Sequence, residues 1–196
     1  MSTSSICRRL TKFLVPLLLL ALTGCATFEQ HYTRTEPGKL KGKLLVQWVE
    51  PNEFIFTPDK ENPLTFTRSN GKTITPGRMY TDGGSIPRPL WILRSYSPWG
   101  YAPAFIVHDW LFEIKHCELD DHSLYTHAEA ANVMSEVMKT MMTNGTVPID
   151  KPTLWSMHTA VSSGIAKELW DEGVCAPPPS GMDGRQVIQE YVIEFK

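Results

Sequence analysis

The residues able to do chemistry are concentrated between Thr81 and Leu111. Asp82-Gly83-Gly84-Ser85 places a carboxylate and a hydroxyl on either side of two glycines. His108-Asp109 places an imidazole and a second carboxylate inside an apolar run, with Phe105, Ile106 and Val107 before them and Trp110, Leu111 and Phe112 after. An imidazole can move a proton near neutral pH or bind a metal, and a carboxylate can orient it or share the ligand set. Asp82, Ser85, His108 and Asp109 are therefore the candidate catalytic residues. Asp82, His108 and Asp109 are the candidate ligands of a divalent metal, although their spacing does not indicate one. Ser85 is a weaker nucleophile candidate, because Gly-Gly-Ser-Ile-Pro lacks the G-x-S-x-G elbow.

A purely structural reading competes with each of these. Asp-Gly-Gly-Ser has the composition of a tight turn, in which the glycines take unusual backbone angles and the Asp and Ser bond nearby amides. Adjacent helical positions differ by about 100° in direction, so one of His108 and Asp109 is expected inside. A buried imidazole or carboxylate without partners costs several kcal/mol. The expectation is that the glycine turn folds back and the Asp82 carboxylate meets His108. The run containing His116, Cys117, Asp120, Asp121, His122 and His127 reads either as an adventitious metal site or as a solvated loop.

Residues 1–24 read as a targeting segment. Arg8, Arg9 and Lys12 form a basic region, and Phe13 to Leu22 is apolar except for Pro16. A bilayer span needs about 20 residues, so this run fits a secretory signal rather than an integral anchor. Leu22-Thr23-Gly24-Cys25 closely resembles the bacterial lipobox. That resemblance implies cleavage before Cys25, a diacylglycerol on its thiol and an acylated (palmitate-type) amine. Ala26, which is not Asp, implies sorting to the outer membrane, facing the periplasm. One acyl chain anchors only marginally, at about 0.8 kcal/mol per buried CH₂, whereas two or three hold a protein stably.

Cleavage leaves residues 25–196, enough for one domain with a proper core. It removes three basic residues and no acidic one, so the net charge moves from −2 to about −5. No basic stripe remains, which argues against nucleic acid as a partner. Cys117 and Cys175 are left as an even pair in an oxidising compartment, where a disulfide or two free thiols are the alternatives. A bridge would close a loop of about 57 residues, worth about 4 kcal/mol in the chain-entropy model.

The elements that must position these groups follow from periodicity. Residues 25–42 are polar, with Pro37 and Gly38, and read as a tether. Lys43–Glu50, Glu53–Thr57 and Leu64–Arg68 read as strands. Asn70-Gly71 signals a hairpin, with Lys72–Thr75 returning. The period then changes. Ala102–Lys115 reads as a buried helix with Pro103 in its first turn. Thr126-His127-Ala128-Glu129 is a capping box opening a helix with Ala130, Met134, Val137, Met138 and Met141 on one face, stopped by Asn144-Gly145. Its methionines read as core filler rather than a binding groove. Asp150 caps a third helix, Pro152–Trp170, ended by Gly173. Val187–Phe195 is a candidate edge strand. The class is α+β: a small antiparallel sheet in the N-terminal half against about three helices in the C-terminal half. The expected domain spans 43–175, followed by a Pro-rich linker and the candidate edge strand over 176–196.

Ile74 to Trp91, followed by Tyr101 to Phe112, closely resembles the domain of unknown function 1353 family, which is widespread in phage and prophage genomes. The resemblance rests on Pro76-Gly77, Thr81-Asp82-Gly83, Ser85-Ile86-Pro87, Trp91, Ala104, His108-Asp109 and Leu111. Gly84 stands where Ala is usual. Ala131 follows Ala130 where the family usually has Ala-Asp, which weakens a catalytic role. The resemblance brings no settled activity. Two functions remain open. One is a lipid-anchored envelope protein, prophage-encoded on that resemblance, that acts by binding an unidentified envelope component or by modifying the envelope. The other is a metal-assisted hydrolase on a cell-wall or other envelope substrate, using Asp82, His108 and Asp109.

Overall fold

The computed structural model describes residues 27–51, 53–81, 98–119, 122–178 and 186–195. Residues 27–34 form helix α1. Two long strands and four short ones follow: β1 (Lys39–Val49), β2 (Glu53–Phe56), β3 (Thr65–Thr67), β4 (Thr73–Ile74), β5 (Met79–Tyr80) and, at the far end of the chain, β6 (Val187–Phe195). Between β5 and β6 lie α2 (Ala102–His116), α3 (His127–Thr143), α4 (Lys151–Val161) and α5 (Gly164–Glu172). The class is α+β, as its periodicities require.

Strand β1 organises the sheet. Its first residues, Lys39–Lys41, pair with β3, and Val46–Val49 pair with β2. β6 runs antiparallel along Gly42–Val49, with an irregularity at Trp48/Val49. β4 extends β3, and β5 extends β2. Gly42 marks the change of partner, at φ +93°. A side chain there would collide with the Pro63 carbonyl, so this position suits glycine on both conformational and steric grounds. Alternation along β1 buries Leu40, Leu44 and Val46 on one face. The Asn70-Gly71 signal is the β3–β4 turn. Arg68 N–H donates to Lys72 O at 2.8 Å, Gly71 has φ +85°, and Asn70 Oδ1 accepts from Lys72 N–H at 3.0 Å.

Helix α2 lies against this layer, and α3 packs beside it. α2 is apolar almost all round. Ala102 to His108, Leu111 and Ile114 are buried, as expected of a helix enclosed on several sides. The capping box at α3 is complete, with Thr126 Oγ1 accepting from Glu129 N–H and Glu129 reaching back to Thr126 N–H. Met134, Met138, Met141 and Met142 are all at most 3% exposed, so this methionine face is core. Arg68 and Glu136 form a two-pronged ion pair at 2.8 and 2.7 Å, largely buried, that ties the end of β3 to α3.

Three expectations change. The segment 25–42 is not a plain tether, because it holds α1 and the start of β1. Its lack of strong periodicity hid α1, in which Phe28, His31 and Tyr32 are the partly buried residues and the others are exposed. The single helix expected over Pro152–Trp170 is two. Ser163 is extended (φ −67°, ψ 163°), and its hydroxyl accepts from Ala166 N–H as an N-cap, so the chain restarts there. The domain also does not end at residue 175, since β6 completes the sheet against β1. No described helix is long and apolar enough to cross a membrane.

Cys117, just past α2, and Cys175, just past α5, are joined by a disulfide with Cα atoms 4.6 Å apart. The bridge spans 58 positions, so the chain-entropy model gives about 4 kcal/mol. The double variant Cys117→Ser/Cys175→Ser should lose about 2–5 kcal/mol in urea unfolding, with the wild type falling to the same value only in reductant. An unchanged midpoint in both experiments would contradict this contribution.

Candidate functional site

His108 and Asp109 leave α2 in different directions, as a 100° step requires. His108 is 6% exposed, and its Nδ1 lies 3.0 Å from Ala130 O on α3. A carbonyl oxygen only accepts, so Nδ1 carries the hydrogen and donates it, leaving Nε2 with the lone pair. The Phe112 ring lies at 5.1 Å. Burial pushes the imidazole pKa down to about 4, assisted by nearby His127 and opposed by the Ala130 hydrogen bond. At pH 7 His108 is therefore neutral, a buried donor that ties α2 to α3.

Asp109 is half-buried and faces the exit from β5. Thr81 Oγ1–H donates to Asp109 Oδ2 at 3.3 Å, and Thr81 N–H donates to Phe54 O at 2.9 Å. One turn earlier in that approach, Gly77 abuts the neighbouring residue of α2. A Cβ on Gly77 would come within 2.5 Å of the Trp110 ring. The Pro76-Gly77…Thr81 stretch and the His108-Asp109-Trp110 stretch thus meet, by a hydroxyl–carboxylate bond and by indole packed on bare backbone. Asp82 and Ser85 lie outside the described residues. The pairing expected of Asp82 with His108 therefore lies outside the described residues, within which Thr81 meets Asp109 and Ala130 O meets His108.

Of the other candidate ligands, His116 and His127 are held by backbone carbonyls and Cys117 by sulfur, while Asp120 and Asp121 lie outside the described residues. His116 Nε2–H points at Leu169 O (3.1 Å) and Trp170 O (3.3 Å) at the end of α5. His127 Nε2–H donates to Val161 O at 2.8 Å at the end of α4. Both cap helix C-termini, where a donor is favoured. Cys117 is in the disulfide. Among the described residues no group of three or more His, Cys, Asp or Glu is placed to hold a metal, so His108 and Asp109 do not complete a ligand set there.

A polar cluster that periodicity did not reveal lies between α1, α3 and α4. Buried Ser135 sits 3.4 Å from His31 Nε2 and 3.1 Å from His158 Nδ1, and the two imidazole rings are 4.4 Å apart. His158 Nδ1 also approaches Ala131 O at 3.3 Å, so that nitrogen is the protonated one. It therefore donates to Ser135 Oγ and does not take its proton. Burial, then the neighbouring His158, lowers the His31 pKa to about 4, and burial lowers that of His158. The clue in the sequence was His158 on the inward side of its helix, but its partner His31 is over a hundred residues away.

A family model described as "Protein of unknown function (DUF1353)" matches residues 61–161, a little over half of the chain. No curated protein and no solved structure matches.

These histidines give stability a definite pH dependence. Their folded pKa values lie below the unfolded value of 6.5. As pH falls below 6.5 the unfolded chain takes up protons that the folded one refuses. Their contribution is complete above pH 6.5 and is lost as pH falls, down to about 4 for His31 and His108. For fully buried His108 the shift corresponds to about 3 kcal/mol. His108→Leu, which strands Ala130 O, should cost about 1–3 kcal/mol at pH 7. That deficit against wild type should shrink as urea midpoints are followed from pH 7 to 4. A deficit that stays constant over this range would show that His108 does not titrate as its burial demands.

Proposed function

The chain belongs to the DUF1353 family, which carries no activity with it, and on that premise we propose that it is a lipid-anchored protein of the bacterial cell envelope. It is held by acyl chains on Cys25 at the outer membrane, faces the periplasm, and acts by binding or by modifying the envelope. The observation that carries this reading is the amino-terminal order of basic region, short apolar run and Leu-Thr-Gly-Cys. Two features support it. The disulfide between Cys117 and Cys175 suits an oxidising compartment. His108, His116, His127 and His158 all engage backbone carbonyls, as residues that hold a fold do.

One observation favours a second reading, a metal-assisted hydrolase. A histidine whose Nδ1–H is held by a carbonyl presents Nε2 in the tautomer that metal sites and general bases use. In that reading His108, with Asp109 and Asp82, would supply the ligands or the base. Elemental analysis of untagged protein discriminates. A stoichiometric metal whose removal lowers the melting temperature would favour the hydrolase, and its absence with unchanged stability in chelator would favour binding.

The anchor has its own test. Wild-type protein should fractionate with membranes and incorporate labelled palmitate. Cys25→Ser should do neither and should appear in the soluble fraction. Membrane association that survives this substitution would refute the lipid anchor.

A further inference from the structure

We propose that the surface around the N-terminal ends of α1 and α4 faces the membrane, seated on phospholipid headgroups, so that the domain stands on the bilayer in one orientation. This deepens the lipid-anchor reading and rests on it. Cys25 and Phe28 are three residues apart, a span of at most about 11 Å. Acyl chains on Cys25 therefore bring the surroundings of Phe28 to the bilayer.

A loose tether would make that proximity meaningless, but α1 is fastened to the domain at both ends. At its start, Glu29 Oε2 accepts from Lys151 Nζ at 2.6 Å, and the Phe28 ring lies 5.1 Å from that of Trp155. At its middle, His31 stacks on His158 and reaches Ser135. At its end, Lys139 Nζ donates to Tyr32 O at 2.7 Å and Thr35 O at 2.6 Å, capping carbonyls at the negative pole of the helix. The Tyr32 ring also lies beneath the ammonium groups of Lys139 and Lys151, at 4.6 and 5.0 Å. These contacts turn a lipid on Cys25 into an orienting anchor.

The surface so placed has the chemistry of the headgroup layer. Ile149, 60% exposed, stands just before α4. Trp155 follows in α4, and Phe28 of α1 packs on it, both rings half-buried. Lys151 is partly exposed there, with its ammonium paired to the exposed Glu29. Aromatic and lysine side chains favour this zone, with apolar bodies toward the acyl chains and polar ends toward water.

The test uses the mature, lipidated full chain with Ile149→Cys. The new thiol is the free one, because Cys7 leaves with the signal, Cys25 is acylated and Cys117 is bridged to Cys175. Bimane at this position is read in vesicles of phosphatidylethanolamine and phosphatidylglycerol, with and without brominated acyl chains. Lys72→Cys is the reference. Lys72 lies beside Tyr125 at the N-terminal end of α3, and a 17-residue helix sets it about 25 Å from the end that Ile149 follows. The expected result is a blue shift and loss of emission to brominated lipid at position 149, with neither at 72. Equal behaviour at the two positions, both wet or both quenched, overturns the orientation. The mass of the same protein reports the acyl chains separately. Their absence removes the anchor and this surface together, whereas their presence with a wet position 149 removes the surface alone.

Discussion

Everything in this structure answers to the near-complete burial of α2. A helix apolar on most of its circumference cannot lie on a surface. It is covered by the sheet, by α3 and by the end of α5. Burial then sets a strict condition on the polar groups it carries, because an unpartnered imidazole or carboxylate there costs several kcal/mol. His108 meets the condition through Ala130 O and by remaining neutral. Asp109 meets it on the other side, with the Thr81 hydroxyl among its partners. The two residues look like a catalytic dipeptide in one dimension, yet in space they hold α2 to two different neighbours.

The same condition explains the family's motif in physical terms. Gly77 is bare so that the Trp110 indole can lie on its backbone. Thr81 is fixed by its amide to β2 and by its hydroxyl to α2. Pro76-Gly77, Thr81, Asp109 and Trp110 thus record how the edge of the sheet seats against the central helix. This gives a structural reason for those residue types without requiring a reaction.

Around this centre the fold is closed by long-range ties. The Arg68–Glu136 pair fastens β3 to α3, the disulfide fastens the end of α2 to the segment after α5, and β6 returns to line β1. His116 and His127 cap the ends of α5 and α4. The histidines thus share a theme. His108, His116 and His127 serve as donors that finish helices or join layers, and acid works against His31, His108 and His158, whose burial disfavours the charged ring.

What the sequence determined by itself was whatever depends on neighbours in the chain. The capping box at Thr126, the Asn70-Gly71 turn, the strand alternation, the apolar run of α2 and the methionine face are local, and a few residues suffice to encode each. Only the tertiary structure decided which polar groups meet. His108 found a carbonyl on α3, Thr81 met Asp109, and His31 found Ser135 and His158 across more than a hundred residues. Helix α1 escaped notice because its stability lies in one ion pair, hydrogen bonds and ring contacts with α3 and α4 rather than in an apolar stripe of its own. Local pattern is written in spacing, whereas the partner of a buried polar group is chosen by the packing that buries it.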